Sequence, residues 1–136
     1  MVDVPCAPQS AVRVARAALA VNDPDLPAMI VLNAVYAGTF SSRLNLKLRE
    51  EKHWTYGAWS EQAERLGRGA WLTRSEVQTD ASADAVAETL AILDGIKAGI
   101  TDDELSRAKE GFARSLPGLL GTPSDQARAL GSSFAL

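Results

Sequence analysis

The spacing of apolar and polar residues changes several times along this 136-residue chain, and each change marks an element. Over residues 10–20, Val12 and Val14 flank Arg13 in a run of small, β-compatible side chains, which predicts a strand. Asn22-Asp23-Pro24 then predicts a helix start, with Asp23 as N-cap and Pro24 at the first helical position. Leu26, Met29, Ile30, Val31, Leu32, Val35 and Tyr36 make that helix apolar around most of its circumference before it stops near Gly38. Such a helix is expected to lie buried against a sheet.

Ser41 or Ser42 can cap a second helix, which carries Leu44, Leu48 and a charged cluster from Lys47 to Lys52. Two strands follow, Trp54 to Glu64 and Gly69 to Thr79, joined by a glycine-bearing turn at Leu66-Gly67-Arg68-Gly69 that reads as a hairpin. From Ser82, as cap, to Gly99 the pattern becomes helical, with Val86, Leu90 and Leu93 on one face and Ile92 and Ile96 widening it. Thr101-Asp102-Asp103-Glu104 is a capping box opening a helix that is expected to bury Leu105, Ala108, Phe112 and Leu116 and to end at Pro117-Gly118. A last helix is expected from Thr122-Pro123-Ser124-Asp125 towards Phe134.

This order predicts an α+β fold: an antiparallel sheet with helices packed on one face, forming a single domain over residues 1–136. Three strands make a small sheet for so many helices, so further strands are expected after residue 136. With 46% apolar and 23% charged residues the chain reads as an ordinary globular domain rather than a disordered one. Its net charge of −3 comes with well-mixed signs, which argues against nucleic acid or an anionic membrane as partner. The apolar run Ala28 to Val35 is too short to span a bilayer, and Met1 to Pro5 has no signal-peptide character, so a soluble segment is expected. A single cysteine, Cys6, excludes an internal disulfide and a cysteine-based metal site.

Few residues point to chemistry. Ser41-Ser42-Arg43 lacks the glycine and lysine pattern of a phosphate loop and is better read as helix capping. Ser10, Asp80 and Asp84 make no triad. Asp102, Asp103 and Glu104 suit the positive end of a helix dipole. Trp54, Trp59 and Trp71 are expected to line the hairpin and the sheet–helix core. Taken alone, Arg49 is a surface cation paired with Glu50, Glu51 or Glu61, and Tyr56 is a strand aromatic.

The segment Phe40-Ser41-Ser42-Arg43-Leu44, followed by Arg49-Glu50-Glu51-Lys52-His53-Trp54-Thr55-Tyr56-Gly57, resembles the signature of the second, non-catalytic domain of the pitrilysin/insulinase family of zinc metallopeptidases. Val2 to Ser10 is similar to that family's entry strand, with Cys6 where glycine is common. Asn22 to Asp25 and Ile100 to Leu105 are similar to two of its helix starts. Ala37, Thr39 and His53 also stand where the family usually has glycine. His53 lies at the junction that positions Tyr56, where a positive φ is inexpensive for glycine and costly for histidine.

The resemblance implies a metallopeptidase-half, mitochondrial-processing-peptidase-like fold within a longer peptidase chain. It also implies that Arg49 and Tyr56 contact a peptide substrate held by a zinc-bearing catalytic domain or subunit. In that family zinc is held by two histidines and a glutamate. With His53 as its one histidine, this segment is expected to hold no zinc and to be inactive alone, so the metal belongs to the partner. The alternative is a proteolytically inactive structural or assembly subunit of the same family. An unrelated α+β binding module would require the match over residues 40–57 to be coincidence. The Ala- and Arg-rich composition fits a bacterial source, which leaves periplasm and cytoplasm both open.

Overall fold

A computed structural model describes residues 6–63 and 65–135. The expected strand start at 2–5 and strand end at Glu64 lie outside the described residues. The chain runs β1 (Gln9–Ala17), α1 (Leu26–Asn33), α2 (Arg43–Asn45), β2 (Thr55–Gln62), β3 (Ala70–Gln78), α3 (Ser82–Ile96), α4 (Asp102–Leu119) and α5 (Pro123–Ala135). Both α1 and α2 open into wide π-helical turns, Ala34–Gly38 and Leu46–Glu51. The sheet is antiparallel throughout, in the order β1-β3-β2.

Alternation along the central strand β3 decides the layering. Trp71, Thr73, Ser75 and Val77 point into the helices, while Arg74 and Glu76 point away. On the open face Arg13 pairs with Glu76 at 2.7 Å and Arg74 with Glu61 at 3.6 Å. On the covered face Tyr36, Ala37, Leu44, Leu48, Ala58, Trp71, Val77, Ala85 and Ile96 form one core. The fold is α+β, with the helices on one side of the sheet. Gly69 closes the hairpin because a Cβ there would stand 2.4 Å from the Ala63 carbonyl oxygen.

Several boundaries differ from those the pattern suggests, each for a local reason. β1 ends at Ala17 because Ala18 and Val21 donate their N–H groups to Gly69 and Arg65 in the hairpin loop. The Asp23 carboxylate accepts from Asp25 N–H at 3.0 Å, forming a turn, so α1 starts at Leu26 behind Asp25 with Pro27 in its first turn. Ser42 stands at the N-cap of α2 without capping through its hydroxyl. A 3₁₀ turn, Thr79–Ala81, precedes α3, and Ser82 donates to Thr79 O (2.8 Å). On α3 Ala85, Thr89 and Ile96 are buried and Ile92 and Leu93 pack against the core as expected, while Leu90 is exposed.

The capping box at Thr101 and Glu104 forms as expected. Of the four residues expected to be buried on α4, however, only Ala108 is. Its first half packs on the Ala34–Gly38 turn, and Phe112 and Leu116 lie beyond that contact. The helix also passes through Pro117, because the carbonyl that the missing N–H would have bonded, on exposed Ala113, can be hydrated.

A seam of polar groups joins the two layers. The Asn45 side chain is fully buried; its Oδ1 accepts from Ala58 N–H and its Nδ2 donates to Ala58 O, both at 2.8 Å. The same Nδ2 also donates to Thr39 O at 2.8 Å. Two residues along β2, Asn33 Nδ2 donates to Ser60 O at 3.0 Å. Asn33 Oδ1 accepts from the Ser60 hydroxyl and, at 2.7 Å, from the Trp71 indole N–H. The buried Tyr36 hydroxyl shares a 3.1 Å hydrogen bond with Thr73, and burial raises its pKa. Farther out, Arg43 grips Glu104 through two hydrogen bonds of 2.6 and 2.7 Å and also reaches Gly99 O, tying α2 to the start of α4.

Two outcomes follow. Asn45→Leu strands the Ala58 N–H and C=O in the interior and is expected to lower stability by about 3 kcal/mol, read as a fall in the urea midpoint. The Arg43 guanidinium, with further bonds from Thr101, holds the Glu104 carboxyl at about 2 against an ordinary 4.5. The folded-state pKa is the lower one, so this stabilisation is fully present above about pH 4.5 and fades as pH falls towards 2. Urea midpoints at pH 6 and pH 3 are expected to differ less in Glu104→Gln than in the parent.

Candidate functional site

The site is built at the junction of α2 and β2. In the last turn of α2, Lys52 N–H bonds to Lys47 O, five residues back, and Trp54 N–H to Leu48 O. His53 then takes φ +57°, the left-handed conformation. Its ring Nδ1 lies 3.0 Å from Arg49 O, a contact that places the proton on Nδ1 so that it donates to the carbonyl. Histidine thus adopts the backbone of the glycine it replaces and caps the helix with its ring. Cys6, another position where the resemblance would put glycine, also has positive φ, at +63°. Ala37 and Thr39 do not, at −154° and −140°.

Past His53 the register of β2 on β3 slips by one residue between Thr55 and Ala58, a bulge holding Tyr56 and Gly57. The Thr55 hydroxyl donates to Gly57 O (2.9 Å) and Glu76 O (2.7 Å), and Ser75 Oγ also donates to Gly57 O (3.0 Å). With the bulge pinned from beneath and Ala58 held by Asn45, Tyr56 is turned outwards and is 89% exposed.

Arg49, Glu50, His53, Trp54, Thr55 and Tyr56, with Gln9 and Gln78, line a cleft of about 420 Å³. Both residues singled out by the resemblance therefore open onto one space. Arg49 is half-buried, its Nη1 is 2.9 Å from Glu50 Oε1, and its guanidinium lies over the Phe40 ring at 4.9 Å. The ion pair with Glu50 is one of those expected from the residues alone. Arg49 and Tyr56 present N–H and O–H donors suited to carbonyl or carboxylate oxygens. Among the described residues no group of three His, Cys, Asp or Glu side chains could hold a metal, and the His53 ring is engaged with Arg49 O.

A larger groove of about 500 Å³ lies between the Ala34–Gly38 turn, residues 39–46 and α4, with Arg43, Glu104, Arg107 and Phe112 among its walls. Trp71 is a core residue, Trp54 half-buried, and Trp59 exposed beside Phe40. Sequence reasoning missed the roles of Asn33 and Asn45. For Asn33 the available signal was an amide set in an otherwise apolar helical run; Asn45, between Arg43 and Lys47, carried no such signal.

A family model described as peptidase M16 inactive domain matches residues 3–112. Among solved structures, a peptidase M16 inactive domain from Pseudomonas fluorescens is 26% identical, with a TM-score of 0.77 over 80% of this chain and 27% of that one. A protease from Helicobacter pylori matches at TM-score 0.85 and 21% identity, over 96% of this chain and 32% of that one. An inactive peptidase domain from Bordetella parapertussis matches at TM-score 0.78 and 21% identity, over 98% of this chain and 74% of that one. This chain thus spans less than a third of the Pseudomonas and Helicobacter chains. No curated protein matches.

The His53 geometry predicts a graded response. Alanine keeps the left-handed strain and loses the ring bond, and is expected to cost about 1–2 kcal/mol. Glycine loses the bond but also the strain, and is expected to stay within about 0.5 kcal/mol of the parent. Urea midpoints of the two variants check the order.

Proposed function

Since the chain belongs to the peptidase M16 inactive-domain family, we propose that it is the substrate-binding, non-catalytic half of a zinc peptidase, closing on a zinc-bearing catalytic half to enclose a peptide. An inactive domain in a family of zinc proteases implies a catalytic partner domain. The zinc ion would polarise the scissile carbonyl and activate water in that partner. On this side the Arg49 guanidinium and Tyr56 hydroxyl hold the peptide backbone by donating to its carbonyl oxygens, and the enclosure they help form limits access of bulk water. The observation that carries the reading is the single cleft onto which both residues open, with Tyr56 almost wholly exposed and its hydroxyl hydrogen-bonded to none of the described residues.

One observation favours a second reading, that of an inert structural subunit: Arg49 already has Glu50 and the Phe40 ring as neighbours. An exposed pair of this kind is worth little, about 0.2–1 kcal/mol, and a peptide carbonyl can displace it.

The two readings part in the assembled peptidase. Arg49→Ala is expected to lower kcat/KM for peptides about 10- to 100-fold, the weight of a charge-assisted hydrogen bond, and Tyr56→Phe by a smaller factor. Assembly, checked by native mass, is expected to be unchanged. Unaltered kcat/KM in the Arg49→Ala, Tyr56→Phe double variant would establish the structural role instead.

A further inference from the structure

Beside the cleft, two aromatic rings stand in solvent. Phe40, in the loop between α1 and α2, is 54% exposed, and Trp59, on β2, is 37% exposed. They meet edge to face, with centroids 4.7 Å apart and planes at 77°. Neither ring is loosely placed. Gly57 allows the Trp59 indole to lie against the β2 backbone, since a Cβ at Gly57 would come within 3.3 Å of Trp59 Nε1 and 3.5 Å of two indole carbons. The strand beneath is fixed by the Asn45 grip on Ala58 and the Asn33 grip on Ser60, which bracket Trp59 on both sides. The Phe40 loop is held by Asn45 Nδ2 on Thr39 O and by the Arg49 guanidinium over the ring.

Arg49 is therefore shared: it lines the polar cleft with Tyr56 and forms the wall of the aromatic pair. Donors for a peptide backbone and an apolar seat for a side chain are continuous through one guanidinium. We infer that Phe40 and Trp59 form a side-chain subsite that selects peptides carrying an aromatic or large aliphatic residue next to the stretch held by Arg49 and Tyr56. This rests on the substrate-binding reading of the cleft and adds the substrate class. An occupant with such a side chain gains ring contacts with both aromatics and covers apolar surface now facing water, whereas alanine reaches neither ring. A charged residue would gain less, because the Arg49 cation already occupies one side of Phe40 and Glu50 stands beside it.

The test uses the assembled peptidase and quenched-fluorescent ten-residue peptides, one set with a single Phe moved through an alanine background and one all-alanine control. The parent enzyme is expected to prefer the best Phe peptide by at least about tenfold in kcat/KM. Phe40→Ala and Trp59→Ala are each expected to bring that ratio towards one. Phe40→Leu and Trp59→Leu, which keep apolar bulk, lower it in the same direction should an alanine variant fail to assemble. Arg49→Ala is expected to slow both peptides. A parent ratio near one, or one that survives loss of either ring, overturns the subsite. So does an unchanged ratio with weaker association of the two halves, which would make the rings a contact with the catalytic domain. If Arg49→Ala and Tyr56→Phe leave both rates untouched, it is the substrate-binding reading of the cleft that fails.

Discussion

Two carboxamides, Asn45 buried and Asn33 half-buried, hold this domain together where its layers meet. Asn45 satisfies both backbone groups of Ala58, and Asn33 takes the carbonyl and hydroxyl of Ser60 together with the Trp71 indole. The Ala58 N–H and C=O and the Ser60 C=O lie on the edge of β2 turned away from β3, where an unpaired strand would otherwise present free N–H and C=O. The helices thus do for β2 what a neighbouring strand would do, using side chains. An amide with both a donor and an acceptor can imitate a peptide unit, which no apolar side chain can, and a buried polar pairing of this kind tolerates little displacement.

The geometry of the site follows from that constraint. Fixing Ala58 leaves the extra residue of the bulge at Tyr56-Gly57, and fixing Thr39 with the same amide sets the loop that carries Phe40. At the other end, the left-handed His53 lets the chain leave α2 and enter β2 within a few residues, its ring returning to Arg49 O. Arg49, Phe40, Tyr56 and Trp59 come from three different stretches of chain, yet all stand on a frame referred to the same strand. The strained backbone at His53 persists because the structure on either side over-determines it.

The fold is shared over nearly the whole chain with proteins about one-fifth identical in sequence, while the described residues offer no set of ligands for a metal. The described surface carries an open sheet face of paired charges, a cleft with two donors, and two rings beside it.

The α+β class, the hairpin and the capping box were legible in the residues because each is written over a few neighbours: alternation at β3, glycine at Gly69, Thr101 with Glu104 three residues on. The Arg49 and Tyr56 pair was legible only as a resemblance, since spacing alone allowed an ordinary surface ion pair, and that pair does form with Glu50. The start of α1 and the exposure of Leu90, Phe112 and Leu116 were not legible, because which face of a helix is covered depends on the neighbour that arrives, and periodicity describes only the helix itself. Asn45 and Ala58 are 13 residues apart, Asn33 and Ser60 27, and Arg43 and Glu104 61. Local residue patterns determined the elements; only tertiary structure could decide several of their ends and these pairings, because a hydrogen bond between distant residues is set by where the packed layers bring them and leaves no periodic mark in the chain.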